Sequence, residues 1–163
     1  MKPVYSENKP RICVLVARFN ELITKELLAG VMSELAESGV DADHVDVQWV
    51  PGSFELPAVA SKAADQNYYA GIIALGCVIR GETAHFDYVA GPCASALMNV
   101  SVSAKIPVIF GVLTTDTIEQ ALNRVGLKHG HKGREAAQAC LATIKTMNYF
   151  GNEGIALRKK GRG

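Results

Sequence analysis

The sequence predicts one α/β domain in which a mainly parallel four-stranded sheet lies between two layers of helices. Three observations carry this expectation. Apolar strand-like runs alternate with segments of helical period along the 163 residues, the order that strand–helix–strand units require. The runs read as apolar on both faces, as strands do when helices cover them on each side. No repeat, low-complexity tract or linker-like stretch divides the chain, whose length suits a single domain with a sizeable core.

The elements follow in order. Arg11-Ile12-Cys13-Val14-Leu15-Val16-Ala17 is a continuous apolar strand. Leu27, Val31 and Leu35, with Leu28 and Met32 beside them, form a helical stripe that Gly39 ends. Residues 45–50 make the second strand, stopped by Pro51-Gly52, and Pro57 opens a short helix over about 58–67. The third strand spans 71–79. A long helix over roughly 86–104 follows it, carrying Val89, Ala90, Ala94, Leu97, Met98 and Val102. The fourth strand covers 107–113, and two helices, about 118–124 and 133–148, complete the pattern. Right-handed crossovers fold this order into an open three-layer αβα sandwich of flavodoxin-like type. Residues 1–10 and 151–163 read as peripheral tails of the one domain, 1–163.

With 48% hydrophobic residues and a net charge of +1, the chain reads as a soluble globule. No basic surface for nucleic acid is expected. No segment resembles a signal peptide or a membrane span, so the expected location is the cytoplasm. The four cysteines, at 13, 77, 93 and 140, sit in apolar surroundings without metal-ligand spacing. They read as reduced, buried thiols. The basic, glycine-flanked end, 157–163, reads as a solvated tail.

Ligands of such folds bind beyond the carboxyl ends of the strands. The first strand exits into Arg18-Phe19-Asn20 and the second into Pro51-Gly52-Ser53-Phe54-Glu55. The third exits into Arg80-Gly81-Glu82-Thr83-Ala84-His85 and the fourth into Thr114-Thr115-Asp116. This convergence on one rim argues for a small-molecule site. Gly81, Glu82 and Thr83 lie between a strand and a helix N-terminus, where free backbone N–H groups and the helix dipole favour an anion such as phosphate. A carboxylate repels phosphate, so Glu82 is expected to offer its N–H and turn its side chain away. An imidazole beside a phosphate dianion is favoured in its protonated form, which would make His85 a proton donor. Taken singly, each residue also has a plainer reading. Thr83 fits a helix cap, His85 a solvated or core histidine, and Phe19 and Phe110 core packing. Arg124 and Lys132 fit a solvated basic edge. His129 and His131 form an HxH pair, but no carboxylate or cysteine pattern beside them suggests a metal.

Together the segments resemble the 6,7-dimethyl-8-ribityllumazine synthases, penultimate enzymes of riboflavin biosynthesis. The matching stretches are ARFN at 17–20, WVPGSFELP at 49–57, ALGCVIRGETAHFDYV at 74–89, IPVIFGVLTTDTIEQALNR at 106–124 and GHKGREAA at 130–137. They occur in order over about residues 11–150. The resemblance implies an enzyme that joins 5-amino-6-(D-ribitylamino)uracil to 3,4-dihydroxy-2-butanone 4-phosphate, releasing phosphate and water, with no cofactor and no metal. Phe19 would stack on the pyrimidine ring. Ser53, Phe54, Glu55 and the backbone of Cys77, Val78 and Ile79 would hold the ring edge and ribityl chain. Glu82 and Thr83 match the phosphate-binding turn and His85 the proton donor. Phe110 and Arg124 match residues supplied by a neighbouring subunit, with Arg124 on the phosphate, and Lys132 matches a lysine near the substrate. The family's Gly-Asn-Lys-Gly loop reads Gly130-His131-Lys132-Gly133 here, and residues beyond about 150 match no family pattern.

The implied partners are the two small substrates and further copies of the chain. These would form a pentamer and, because the loop over 126–133 lacks an insertion that would keep pentamers apart, a sixty-subunit icosahedral shell. Riboflavin synthase is a further implied partner; nucleic acid and membrane are not. Two other readings share the scaffold, a non-catalytic flavin- or lumazine-binding protein and a purely structural shell protein.

Overall fold

The computed structural model describes residues 9–151 and 158–161. The expectations for 1–8 and for most of the C-terminal tail, 152–157 and 162–163, lie outside the described residues. The ordered chain runs β1 (Ile12–Ala17), α1 (Glu21–Glu37), β2 (Val45–Val50), α2 (Leu56–Ala64), β3 (Gly71–Ile79), α3 (His85–Ala104), β4 (Val108–Thr115), α4 (Ile118–Asn123) and α5 (Lys132–Phe150). Short 3-10 turns at Ala42–His44 and Ser53–Glu55 precede β2 and α2.

The four strands pair in the order β2-β1-β3-β4, every pair parallel. One crossover leaves β1 towards β2, and the next returns past β1 to β3. The order therefore reverses between β1 and β3, which opens a crevice beyond their carboxyl ends.

Side chains alternate across the pleat. From β1, Ile12, Val14 and Val16 point into one apolar layer with Ile23, Leu27, Val31 and Leu35 of α1 and Ala137, Cys140 and Ile144 of α5. Cys13, Leu15 and Ala17 point into the other layer, with Leu56 and Ala60 of α2 and Cys93 and Leu97 of α3. Burial on both faces holds throughout β1 and over the first seven residues of β3. It does not hold for β2, which is an edge strand with Gln48 exposed and Asp46 half-buried, accepting a hydrogen bond of 2.8 Å from Tyr69 Oη. Its sequence, Val45-Asp46-Val47-Gln48-Trp49-Val50, has the alternation expected of a strand covered on one face.

Several boundaries shift for identifiable reasons. The helix expected over 58–67 begins at Leu56, with Pro57 in its first turn, and ends at Ala64, before the left-handed Asn67 (φ 52°). β4 runs to Thr115, two residues past the apolar run, because its ladder with β3 continues to Ile79↔Thr115. α1 ends as predicted near Gly39, whose φ of 89° suits glycine. α4 starts at a capping box in which Thr117 Oγ1 accepts from the Gln120 N–H and the Gln120 side chain accepts from the Thr117 N–H.

α1 and α5 approach closely through Gly133. A Cβ there would lie 2.1 Å from the Leu27 carbonyl oxygen. Arg134 braces the same contact, donating to Glu34 (3.0 Å), Glu37 (2.9 Å) and Ser33 (2.7 Å).

Candidate active site

Main-chain bonds fix the strand exits beside the crevice. The Arg18 and Phe19 N–H groups donate to the carbonyls of Val50 (2.8 Å) and Pro51 (3.0 Å), which fastens the exit of β1 to that of β2. Asn20 adopts the left-handed conformation (φ 60°, ψ 46°), which asparagine tolerates better than most residues. Its side-chain amide donates to the Cys77 carbonyl at 2.8 Å, so the same residue turns the chain into α1 and ties it to β3. Phe19, 71% exposed, projects from this knot with its ring free.

Ser53 is buried under the rim. Its carbonyl accepts from the Cys93 thiol at 3.2 Å, and its hydroxyl lies where a Cβ on Gly76 would sit, 2.4 Å away. Only glycine at 76 lets the 3-10 turn over Ser53–Glu55 settle onto β3. Phe54 and Glu55 then stand exposed beside Phe19. Burial pushes the Cys77 and Cys93 thiols up to about 11, so both stay protonated near neutral pH and neither is a nucleophile.

Beyond Ile79, Arg80 braces the next turn. Its N–H donates to the Thr115 carbonyl (2.8 Å), its Nε to Asp116 (3.0 Å) and one Nη to Asp87 (3.4 Å), and its guanidinium lies 4.2 Å from the Phe86 ring centroid. Gly81 has open space around its Cα. Thr83 Oγ1 meets the His85 N–H at a long 3.4 Å, and α3 has no side-chain cap at its N-cap residue, Ala84. The first turn of α3 therefore keeps N–H groups available to an anion.

Part of this rim lines one cleft of about 680 Å³. Its walls are Phe19, Gly52 to Glu55, Cys77 to Ile79, Gly81, Thr83 and His85, with Phe86, Tyr88 and Val89 completing the far side. Glu82 is exposed and is not part of the lining. Val89 read only as part of the apolar stripe of the long helix and Tyr88 was not singled out, although residues three and four beyond His85 share its helical face.

Phe110, Arg124 and Lys132 do not join this cleft. They border a separate concavity of about 410 Å³ between the outer side of β4 and α5. Phe110 is 42% exposed on the edge strand β4; a mid-strand core position was the plainer reading of its pattern. Lys132 is paired with Glu135 at 2.6 Å, whereas Arg124 makes no ion pair among the described residues. Arg124 also borders a smaller, polar hollow of about 250 Å³ with Thr115, Asp116, Gln120, Asn123 and His129. The HxH pair is split. His129 faces that hollow, while the Nδ1 of His131 accepts from the Gly133 N–H. A group of Asp41, Asp43 and His44 lies before β2, at the amino end of the sheet, with Asp41 bound to Lys9.

The cleft thus offers a free aromatic face, polar and backbone groups, the uncapped first turn of α3 and an imidazole. Such a set suits a planar heterocycle beside a phosphorylated compound. Comparison with known proteins agrees. The sequence model described as 6,7-dimethyl-8-ribityllumazine synthase matches residues 9–148. A protein of Protochlamydia amoebophila (strain UWE25) named 6,7-dimethyl-8-ribityllumazine synthase is 49% identical over 137 residues, covering 84% of this chain and 80% of that relative. The chain belongs to the 6,7-dimethyl-8-ribityllumazine synthase family.

Proposed function

We propose that the chain condenses 5-amino-6-(D-ribitylamino)uracil with 3,4-dihydroxy-2-butanone 4-phosphate to 6,7-dimethyl-8-ribityllumazine, a transferase step of riboflavin biosynthesis. The observation that carries the site assignment is the single cleft in which Phe19, the Ser53–Glu55 turn and the end of β3 face the Gly81–Thr83 turn and His85. The pyrimidine stacks on Phe19. Ser53, Phe54, Glu55 and the backbone of Cys77, Val78 and Ile79 hold its edge and the ribityl chain. N–H groups of the turn, with the Thr83 hydroxyl, take the phosphate.

The aromatic amine attacks the ketone and a Schiff base forms with loss of water. Phosphate leaves by elimination, and the ring closes with loss of a second water. Amines and ketones condense without a strong nucleophile, so most of the acceleration comes from holding two substrates together, worth about 7–11 kcal/mol in favourable cases. His85 donates and accepts protons beside the departing phosphate, a smaller factor of order 10²–10⁴ or less.

Arg124, Phe110 and Lys132 border a different concavity of the same chain, which supports a site completed by a neighbouring copy. In a closed ring each chain lends its β4 edge to the next chain's cleft, a heterologous arrangement that suits a pentamer. Pentamers then assemble into a sixty-subunit shell in the cytoplasm, with riboflavin synthase, which consumes the product, as a partner. The decisive experiment mixes both substrates with the purified protein. Lumazine absorbance rising with one equivalent of phosphate is the expected result; ligand binding without turnover would favour a non-catalytic flavin or lumazine carrier instead.

A further inference from the structure

We infer that His131 is a positioning residue whose ring holds the base of the hairpin carrying Arg124 and Lys132, and thereby sets affinity for the phosphorylated substrate. The inference rests on the synthase reading above. Residues 126–130 form a tight loop between two short facing segments. Val125 bridges His131 in antiparallel fashion, the Lys132 N–H donates to the Arg124 carbonyl at 2.8 Å, and the Gly126 N–H donates to the Gly130 carbonyl at 2.9 Å. Arg124 and Lys132 are therefore linked through one main-chain bond at the base of the hairpin. The relative placement of their side chains depends on that base.

His131 pins the base to the body of the domain in two ways. Its Nδ1 accepts from the Gly133 N–H at 3.2 Å, which makes it the N-cap of α5. Its ring also fills a socket made by three glycines from three places. A Cβ on Gly30 of α1 would lie 2.2 Å from the ring's Cε1, one on Gly133 of α5 3.1 Å from Cε1, and one on Gly126 of the loop 3.4 Å from Cδ2. A side chain at Gly30 would thus evict the ring, whereas without one the imidazole wedges between the two helices and the loop.

Steady-state kinetics on the full-length assembly, with each substrate varied in turn, tests this. His131→Phe fills the socket without an acceptor. It should raise KM for the butanone phosphate about tenfold, the scale of a lost cap, while kcat and the KM for the ribitylaminouracil stay within about threefold. His131→Asn keeps a capping oxygen. It should preserve both KM values, which a ring needed only to fill space would not allow. Unchanged kinetics in His131→Phe, or equal losses in both KM values and kcat, would overturn the inference. If His131→Phe does not fold, His131→Ala is compared with His131→Asn in the same way, and equal KM values for the butanone phosphate in the two overturn the inference. Absence of turnover by wild type overturns the synthase reading and this inference together, whereas turnover without these patterns overturns only the role of His131.

Discussion

His85 and Arg124 divide the proposed chemistry unequally, and each predicts its own signature. His85 opens α3 and lines the cleft, and the proposed reading gives it proton transfer in a condensation that proximity already favours. His85→Ala should lower kcat by no more than about 10²–10⁴-fold and leave measurable turnover. Arg124 carries a guanidinium without an ion pair among the described residues. Its loss should raise KM for the phosphorylated substrate by about 10–100-fold, the worth of one charge-assisted hydrogen bond, with a smaller effect on kcat. Lumazine absorbance measured across both substrate ranges checks both, and variants indistinguishable from wild type would sink the assignment. Glu82, whose carboxylate looked misplaced beside a phosphate, lies outside the lining of the cleft. Its backbone remains in the turn while its side chain is exposed. That distinction depends on side-chain direction, which sequence spacing does not encode.

At the scale of elements, glycines decide how closely layers meet. Gly133 sits where a Cβ would strike the Leu27 carbonyl, and backbone cannot move aside as a flexible side-chain tip can. Gly133→Ala would gain up to about 1 kcal/mol of helix propensity. Forcing α1 and α5 apart should more than cancel this, for a net loss of about 2 kcal/mol. For a chain of this size that is a fall in melting temperature of roughly 4–8 °C, readable by calorimetry; an unchanged or higher value would contradict the packing. The central strands were legible because β1 and β3 are buried on both faces and so carry unbroken apolar runs. The edge strands were less so. β2 alternates, and β4 extends through Thr114 and Thr115, which only the ladder with β3 makes strand. The 3-10 turn over Ser53–Glu55 was not legible, since it depends on the small residue at 76, a strand away.

At the scale of the whole molecule, the two concavities on one chain predict complementation. Phe19→Ala damages one half-site and Arg124→Ala the other. Mixed oligomers refolded from equal amounts of both should regain about a quarter of wild-type interfaces with both halves intact. Activity no greater than the sum of the separate variants would mean that each chain builds its site alone. Light scattering bears on the assembly itself, and a species of pentamer mass would overturn the expectation of a shell. Stability against pH has a defined direction at the alkaline end. Burial raises the thiols of Cys13, Cys77 and Cys93 from 9.0 to about 11 and that of Cys140 to about 12, with Asp46 adding to the shift at Cys13. The folded chain therefore holds these protons more tightly than the unfolded one. The contribution is complete below about pH 9 and is lost as pH rises towards 11–12. The urea midpoint should fall steeply across that window, and replacing Cys140 by Ala or Ser should flatten the fall.

The sequence by itself determined the layers, the rim and the family, because these depend on properties local to each segment. Such properties are the apolar runs, the turn residues after each strand and the ordered stretches from ARFN to GHKGREAA. Tertiary structure alone decided which rim residues share a cleft. Phe19 meets Cys77 to Ile79 because β1 and β3 are neighbours and Asn20 binds the Cys77 carbonyl across 57 positions. Phe110, Arg124 and Lys132 are held apart from them because β4 is the far edge of the sheet and α5 packs beside it. His131, an apparent departure within a loop, became a cap and a wedge only once α1, the loop and α5 brought three glycines around its ring. Segment chemistry can be read along the chain, whereas juxtaposition depends on strand order and on how closely the backbone permits each layer to approach.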